Sequence, residues 1–187
     1  MNDGKIAVRY AKALLSSASD QGKLDPVRDD MDAILQIIRE VPELHNLLHS
    51  PIIEPSKKDA ILVEVFRGKV DPLTLSFLQM TIKNKREEFI PSMARMFLEF
   101  YKEEKGIKSV TVTTAVPVNT ETRTSLVKMI EDVYKAKVEL GENINDKLIG
   151  GFVLKIEDVQ LDASVAGQLK KIKQGLLSAP LVKTDKK

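Results

Sequence analysis

The sequence predicts an α+β chain: an all-α bundle of about six helices over residues 1–105, then a small β-α-β-β-α module over 106–180. Three observations carry that division. Up to Gly106 the apolar residues recur at intervals of three and four, the period of an amphipathic helix. After Gly106, Val110, Val112, Thr114 and Val116 alternate with Ser109, Thr111, Thr113 and Ala115, the period of a strand. Near the C-terminus, Leu148-Ile149-Gly150-Gly151-Phe152 is followed by Leu161-Asp162-Ala163-Ser164-Val165, which reads as strand, tight turn, short strand and helix start. Paired glycines in an apolar run mark a bulge, a bend or a close backbone approach.

The elements follow in order. Ile6, Tyr10, Leu14 and Ala18 lie at helical spacing, with Ala7 and Ala11 beside them. That alanine-rich stripe lets a neighbouring helix backbone come close. Gly22 offers a chain reversal. Leu24, Val27, Met31, Ile34, Leu35 and Ile38 form a second apolar face, and a short helical piece around Glu43–Leu48 follows Pro42. Ser50-Pro51 and Glu54-Pro55 interrupt, because a residue before proline is pushed out of the helical region. Ser56 and Asp59 have the spacing of a capping box, with aspartate in place of glutamate. Ile61, Leu62, Val65 and Phe66 make the next face, ended by Gly68. Asp71-Pro72 predicts an N-cap with proline in the first helical position. From there Leu73, Leu75, Phe77, Leu78, Met80 and Ile82 fall nearly all round the helix, so it is buried or keeps one face for a partner. Phe89, Ile90, Met93, Met96, Phe97, Phe100 and Tyr101 form a last long face.

In the second part Pro117 ends the first strand, and Asn119 or Thr120 caps a helix carrying Leu126, Met129, Ile130 and Val133. Val138 and Leu140 predict a short strand, and Gly141–Asp146 a loop. Phe152, Leu154 and Ile156 share one strand face, Glu157-Asp158 is a turn, and Val159-Gln160-Leu161 returns. Asp162 or Ser164 caps a final helix with Val165, Leu169, Ile172 and Leu176. From Pro180, with 181–187 as its end, the tail is expected to fray.

The 29 basic and 27 acidic residues leave a net charge of +2, too balanced for a nucleic-acid surface. No cysteine is present, which excludes disulfides, thiol nucleophiles and thiolate metal sites. No signal-peptide build opens the chain and no apolar run reaches the roughly 20 residues of a membrane span, so an intracellular protein, soluble or peripheral, is expected.

No residue pattern points to catalysis. His45 and His49 have metal-pair spacing, but no third ligand stands near them in sequence. Gly150-Gly151 lacks the spacing of a phosphate-binding loop. Asp162 and Ser164 have no histidine close by and fit a helix cap. Glu87-Glu88 fits a helix start, where the dipole favours acids. Lys83-Asn84-Lys85-Arg86 fits a solvated turn. The expectation is therefore no catalytic, cofactor-binding or metal-binding residues. Two other readings stand beside an interaction protein: a small enzyme with its site in the C-terminal β module, and an RNA-binding adaptor. The second needs Lys83, Lys85, Arg86, Lys170, Lys171 and Lys173 on one face.

Several blocks in order resemble one family. Arg9-Tyr10-Ala11-Lys12-Ala13-Leu14 is similar to its opening motif. Leu47-Leu48-His49-Ser50-Pro51-Ile52, with Lys57, Lys58 and Ile61-Leu62, resembles its second block. Phe77-Leu78 and Asn84-Lys85-Arg86 resemble the third. Leu148-Ile149-Gly150-Gly151-Phe152 and Leu161-Asp162-Ala163-Ser164-Val165, with Leu169, resemble the last and most specific. On these the chain is identified as resembling the delta subunits of bacterial F-type ATP synthases and the related mitochondrial oligomycin-sensitivity-conferring protein. It departs at Ser16-Ser17, where relatives often carry larger side chains, and at Glu157-Asp158, where they often have glycine.

The resemblance implies a non-catalytic subunit of the peripheral stalk, or stator, at the cytoplasmic face of the cell membrane. It implies that the helical domain binds the N-terminal segments of alpha subunits and the C-terminal domain grips the b subunits, with no nucleic acid, cofactor or direct membrane insertion. Such a subunit holds the catalytic head still, so that proton or sodium flow drives ATP synthesis. The resemblance places the alpha contact near the first helix and the helix from Pro72. The expected partner-binding residues are Ala7, Ala11, Leu14 and Ala18 on the first, and Leu75, Leu78 and Ile82 on the second.

Overall fold

The structure is a computed structural model that describes residues 3–157 and 159–178, apart from the side chains at 3, 172 and 175–178. The tail from Pro180, Asp158 of the expected turn, and the side chains of Ile172 and Leu176 lie outside the described residues. Contacts divide the chain into two compact units, with the division between Lys105 and Gly106.

The first unit contains six α-helices: α1 (Asp3–Asp20), α2 (Leu24–Glu40), α3 (Pro42–His49), α4 (Pro55–Phe66), α5 (Pro72–Lys83) and α6 (Ile90–Lys105). A 3-10 turn at Glu87–Phe89 leads into α6. Helix α6 packs along both α1 and α2, and α4 packs on α5. One continuous core results, with Met31, Phe66, Met93 and Phe97 among its buried members. The all-round apolar character of α5 is explained by this core on one side and half-buried Leu73 and Leu75 on the others.

Polar contacts fix the helix ends. Asp71 caps α5, its Oδ1 accepting from the Leu73 N–H at 2.8 Å. Asp30 of α2 reaches across, its Oδ2 accepting from the Asp71 N–H at 2.8 Å and the Thr74 hydroxyl at 2.6 Å. The expected capping box at Ser56 and Asp59 does not form. Helix α4 begins at Pro55, two residues before the start that a Ser56 cap would give, and has no side-chain cap. Asp59 is thereby carried into the helix, where its Oδ2 faces Gln79 Nε2 at 3.4 Å.

The second unit is a mixed sheet with two helices. Strand β1 (Ile107–Thr114), helix α7 (Thr120–Tyr134) and strand β2 (Lys137–Ile144) form a β-α-β unit, followed by β3 (Phe152–Ile156), β4 (Val159–Asp162) and α8 (Val165–Ser178). The sheet order is β2-β1-β3-β4. β1 pairs β2 in parallel, as a helical crossover demands. The pairs β1–β3 and β3–β4 are antiparallel. Val110, Val112, Ile130, Leu140, Leu154 and Ile156 form the core of this unit.

Two local expectations change. Residues 141–144 are strand, not loop: β2 runs to Ile144, paired with Thr114. On this edge strand every side chain past Leu140 is exposed, so no alternation announces it; the backbone ladder alone defines it. The glycine doublet is a bend just before β3, not within a strand, and Asp146-Lys147 is a turn after β2. The two-residue turn after β3 puts Glu157 at φ 51°, a left-handed conformation that suits glycine.

Candidate partner-binding surfaces

The small residues of α1 are buried by the chain itself. Ala7, Ala11, Leu14 and Ala18 are at most 3% exposed, and α6 is the helix packed along α1. Leu78 and Ile82 are 1% exposed in the same core. Of the seven candidate residues, Leu75 alone is half-buried and has surface to offer. Tyr10 of α1 meets Phe77 of α5 edge-to-face, ring centroids 6.4 Å apart. Tyr10 is also half-buried, and the Arg9 guanidinium lies 5.8 Å from its ring centre. Tyr10 and Phe77 thus join α1 to α5, and Tyr10 and Leu75 keep part of their surface, whereas the alanines, Leu78 and Ile82 are spent in the core.

The C-terminal motif is a clamp between two backbone segments. Gly151 has φ 75°, and a Cβ there would come within 2.4 Å of the Ala163 carbonyl oxygen. The approach is held by hydrogen bonds on both sides: the Ala163 N–H donates to Phe152 O and the Val165 N–H to Gly150 O, both at 3.0 Å. The second bond satisfies an otherwise unpaired donor in the first turn of α8. Buried Ser164 caps the helix, its Oγ accepting from the Gly167 N–H at 2.9 Å. Asp162 Oδ1 in turn accepts from the Ser164 hydroxyl at 2.6 Å and its N–H at 2.9 Å. Those two Ser164 donors hold the Asp162 carboxyl below the usual carboxylate range. A Cβ on Gly167 would lie 2.5 Å from Asp162 Oδ2, so glycine there makes room for the carboxylate. Asp162 and Ser164 both serve the cap, one through the other. Sequence reasoning missed Gly167; a helix glycine three residues after a cap serine was the available signal.

The other candidates resolve into surface structure. His45 and His49 stack with ring centroids 4.2 Å apart, and His49 Nδ1 is 2.9 Å from the His45 carbonyl oxygen. Among the described residues no three metal-ligating side chains gather in one place. Lys83, Lys85 and Arg86 are exposed on the turn after α5, and Lys170, Lys171 and Lys173 are exposed in the other unit. Glu87 opens the 3-10 turn that leads into α6, and it is buried and paired with buried Lys58, Nζ to Oε1 at 2.6 Å. Among the described residues no helix is long and apolar enough to cross a membrane.

Comparison with known proteins agrees over the whole described fold. The sequence model of the ATP synthase delta (OSCP) subunit family matches residues 6–176. The ATP synthase subunit delta of Cytophaga hutchinsonii is 40% identical over 173 residues, which cover 92% of this chain and 94% of that protein. That of Symbiobacterium thermophilum is 32% identical over 179 residues, covering 96% of each. A chain of the Toxoplasma gondii mitochondrial ATP synthase hexamer, solved by cryo-EM, superposes with a TM-score of 0.71 at 26% identity. That match covers 94% of this chain and 98% of the other. The helical unit, the mixed sheet and the Gly-Gly clamp that docks α8 therefore lie within one continuous match: the chain belongs to the ATP synthase delta (OSCP) subunit family.

Proposed function

We propose that this protein is a non-catalytic stator subunit of an F-type ATP synthase, a peripheral protein at the cytoplasmic face of the cell membrane. The helical unit holds the N-terminal segments of alpha subunits, and the sheet unit holds the b-subunit stalk. The observation that carries this reading is the family match along 6–176, which spans both units. The described side chains support it, since the candidate catalytic groups are all engaged as caps, stacks or ion pairs.

On the helical unit the alpha segment lies along the α1–α5 seam as an amphipathic helix in a groove. Tyr10 and Leu75 are its direct anchors. Ala7, Ala11, Leu14, Ala18, Leu78 and Ile82 shape the seam from beneath, because their own surfaces are spent inside the bundle.

The test is co-purification from the native membrane fraction through a tag on this chain. The alpha and b subunits are expected together. Leu75→Asp is expected to lose alpha while retaining b, because the site is half-exposed and the two units are separate. Recovery of neither subunit with the parent chain would end the stator reading.

A further inference from the structure

Four elements of the helical unit converge on one cleft. Arg39 in the last turn of α2, His45 and His49 of α3, Glu88 of the 3-10 turn, and Ser92 and Arg95 of α6 line a cavity of about 320 Å³. That is the lower end of the range for small-ligand sites. Its charges are out of balance. Among the described residues neither guanidinium has a carboxylate within ion-pair distance, that of Glu88 included. Arg39 suits the C-terminal dipole of α2. Arg95 stands mid-helix, where no dipole accounts for it, and its Nη2 donates to the Ser92 hydroxyl at 3.2 Å. Two guanidiniums without counter-ions offer forked donors that match an oxyanion.

The cleft also holds acceptors. The Glu88 carboxylate only accepts. His49 Nδ1 lies 2.9 Å from the His45 carbonyl oxygen. A carbonyl cannot donate, so Nδ1 carries the ring proton and Nε2 of the neutral ring accepts. His45 stacks on that ring with centroids 4.2 Å apart, which restrains both side chains. Such acceptors repel an oxyanion that carries no proton of its own.

We propose that this cleft binds hydrogen phosphate, with Arg39 and Arg95 donating to its bare oxygens and Glu88 accepting from its P–OH. Hydrogen phosphate keeps one O–H at neutral pH. Sulfate has none, and a phosphomonoester, with a second pKa of about 6, has lost its own. The site lies wholly on the helical unit and does not rest on the stator reading.

The experiment titrates sodium phosphate onto the full chain at a pH of about 7.5 and constant ionic strength, which holds screening fixed. The readout is the histidine ring NMR spectrum, to which only His45 and His49 contribute. Saturable shifts of both rings are expected, with a Kd of about 1–10 mM. Sodium sulfate and glycerol 3-phosphate should bind at least about tenfold more weakly. Arg39→Gln and Arg95→Gln change exposed side chains, so circular dichroism should match the parent. Each should weaken phosphate binding at least about tenfold. Glu88→Gln supplies a donor where the parent only accepts, so sulfate should gain on phosphate until the two bind alike. Lys83→Gln removes a positive charge at the end of α5, outside the cleft, and should bind phosphate like the parent. Shifts that grow without saturating, sulfate binding as tight as phosphate on the parent chain, or parent-like binding by either arginine variant would each overturn the proposal.

Discussion

Gly151 is constrained twice, and the two constraints reinforce each other. Its φ of 75° disfavours any L side chain, and the Ala163 carbonyl oxygen stands 2.4 Å from where a Cβ would be. Backing the 163–165 segment away would break the Ala163 and Val165 hydrogen bonds that dock α8. Gly150 differs: its φ is not positive, and its added Cβ would meet the Val165 methyl at 3.4 Å, an ordinary contact. Gly151→Ala should therefore destabilise the second unit by more than the roughly 1 kcal/mol of a propensity change, and Gly150→Ala by less. Hydrogen exchange checks this: amides of β3 and β4 should lose protection in the first variant, and those of α1–α6 in neither. Equal loss in both variants would refute the assignment. The doublet was legible in the sequence as a bend or close approach. Which glycine bears the strain was not, because that depends on a carbonyl twelve residues away. At Ala11 the sequence showed a small residue at helical spacing, and periodicity cannot say whether the helix that closes on it belongs to a partner or to α6.

At the scale of elements, a buried ion pair ties three pieces of the first unit together. Lys58 of α4 donates to the Leu48 carbonyl at the end of α3, at 3.1 Å, and to Glu87 in the turn before α6, at 2.6 Å. Their side chains are 4% and 11% exposed, so solvent screens little of the interaction. Removing one partner of such a pair leaves a buried charge uncompensated and costs about 3–5 kcal/mol, while replacing both by apolar groups can be nearly neutral. Lys58→Met should destabilise the bundle strongly in urea unfolding. The double variant Lys58→Met, Glu87→Leu should recover much of that loss. A double variant no better than the single one would show that the lysine acts through its bond to Leu48 instead. Nothing in the sequence marked this pair. Lys57-Lys58 and Glu87-Glu88 are doublets in which one member is buried and one exposed, and local pattern does not rank them. The same limit hid the length of β2, where the ladder to β1 supplies the order and side-chain burial supplies none. Elements with a buried face, such as α2, α6 and β1, were legible because burial writes their period into the sequence.

For the whole molecule, the change of period at Gly106 coincides with the division of contacts, and the joint is shorter than a linker. Helix α6 runs to Lys105 and β1 starts at Ile107, so one residue joins them, at φ 63°. A left-handed glycine stops a helix and lets the chain leave at an angle. The charged stretch 102–105 is the last turn of α6. It is fastened to the start of α2: the Tyr101 hydroxyl donates to Asp25 Oδ1 at 2.6 Å, and Lys105 Nζ lies 3.1 Å from the same carboxylate. Those two donors hold the Asp25 carboxyl below the usual range. The contact is exposed, however, and exposed pairs contribute little against fraying. Trypsin must open this turn to cut after Lys102 or Lys105. Asp25→Ala removes both attachments at once, so cleavage there should quicken several-fold, on the order of the Boltzmann factor for about 1 kcal/mol. Mass spectrometry should find the first fragments ending at Lys102 or Lys105, and the N-terminal piece should keep its helical circular dichroism, because its core lies wholly within it. If Asp25→Ala instead speeds cleavage throughout the chain, the two units unfold as one and the division at Gly106 is only geometric.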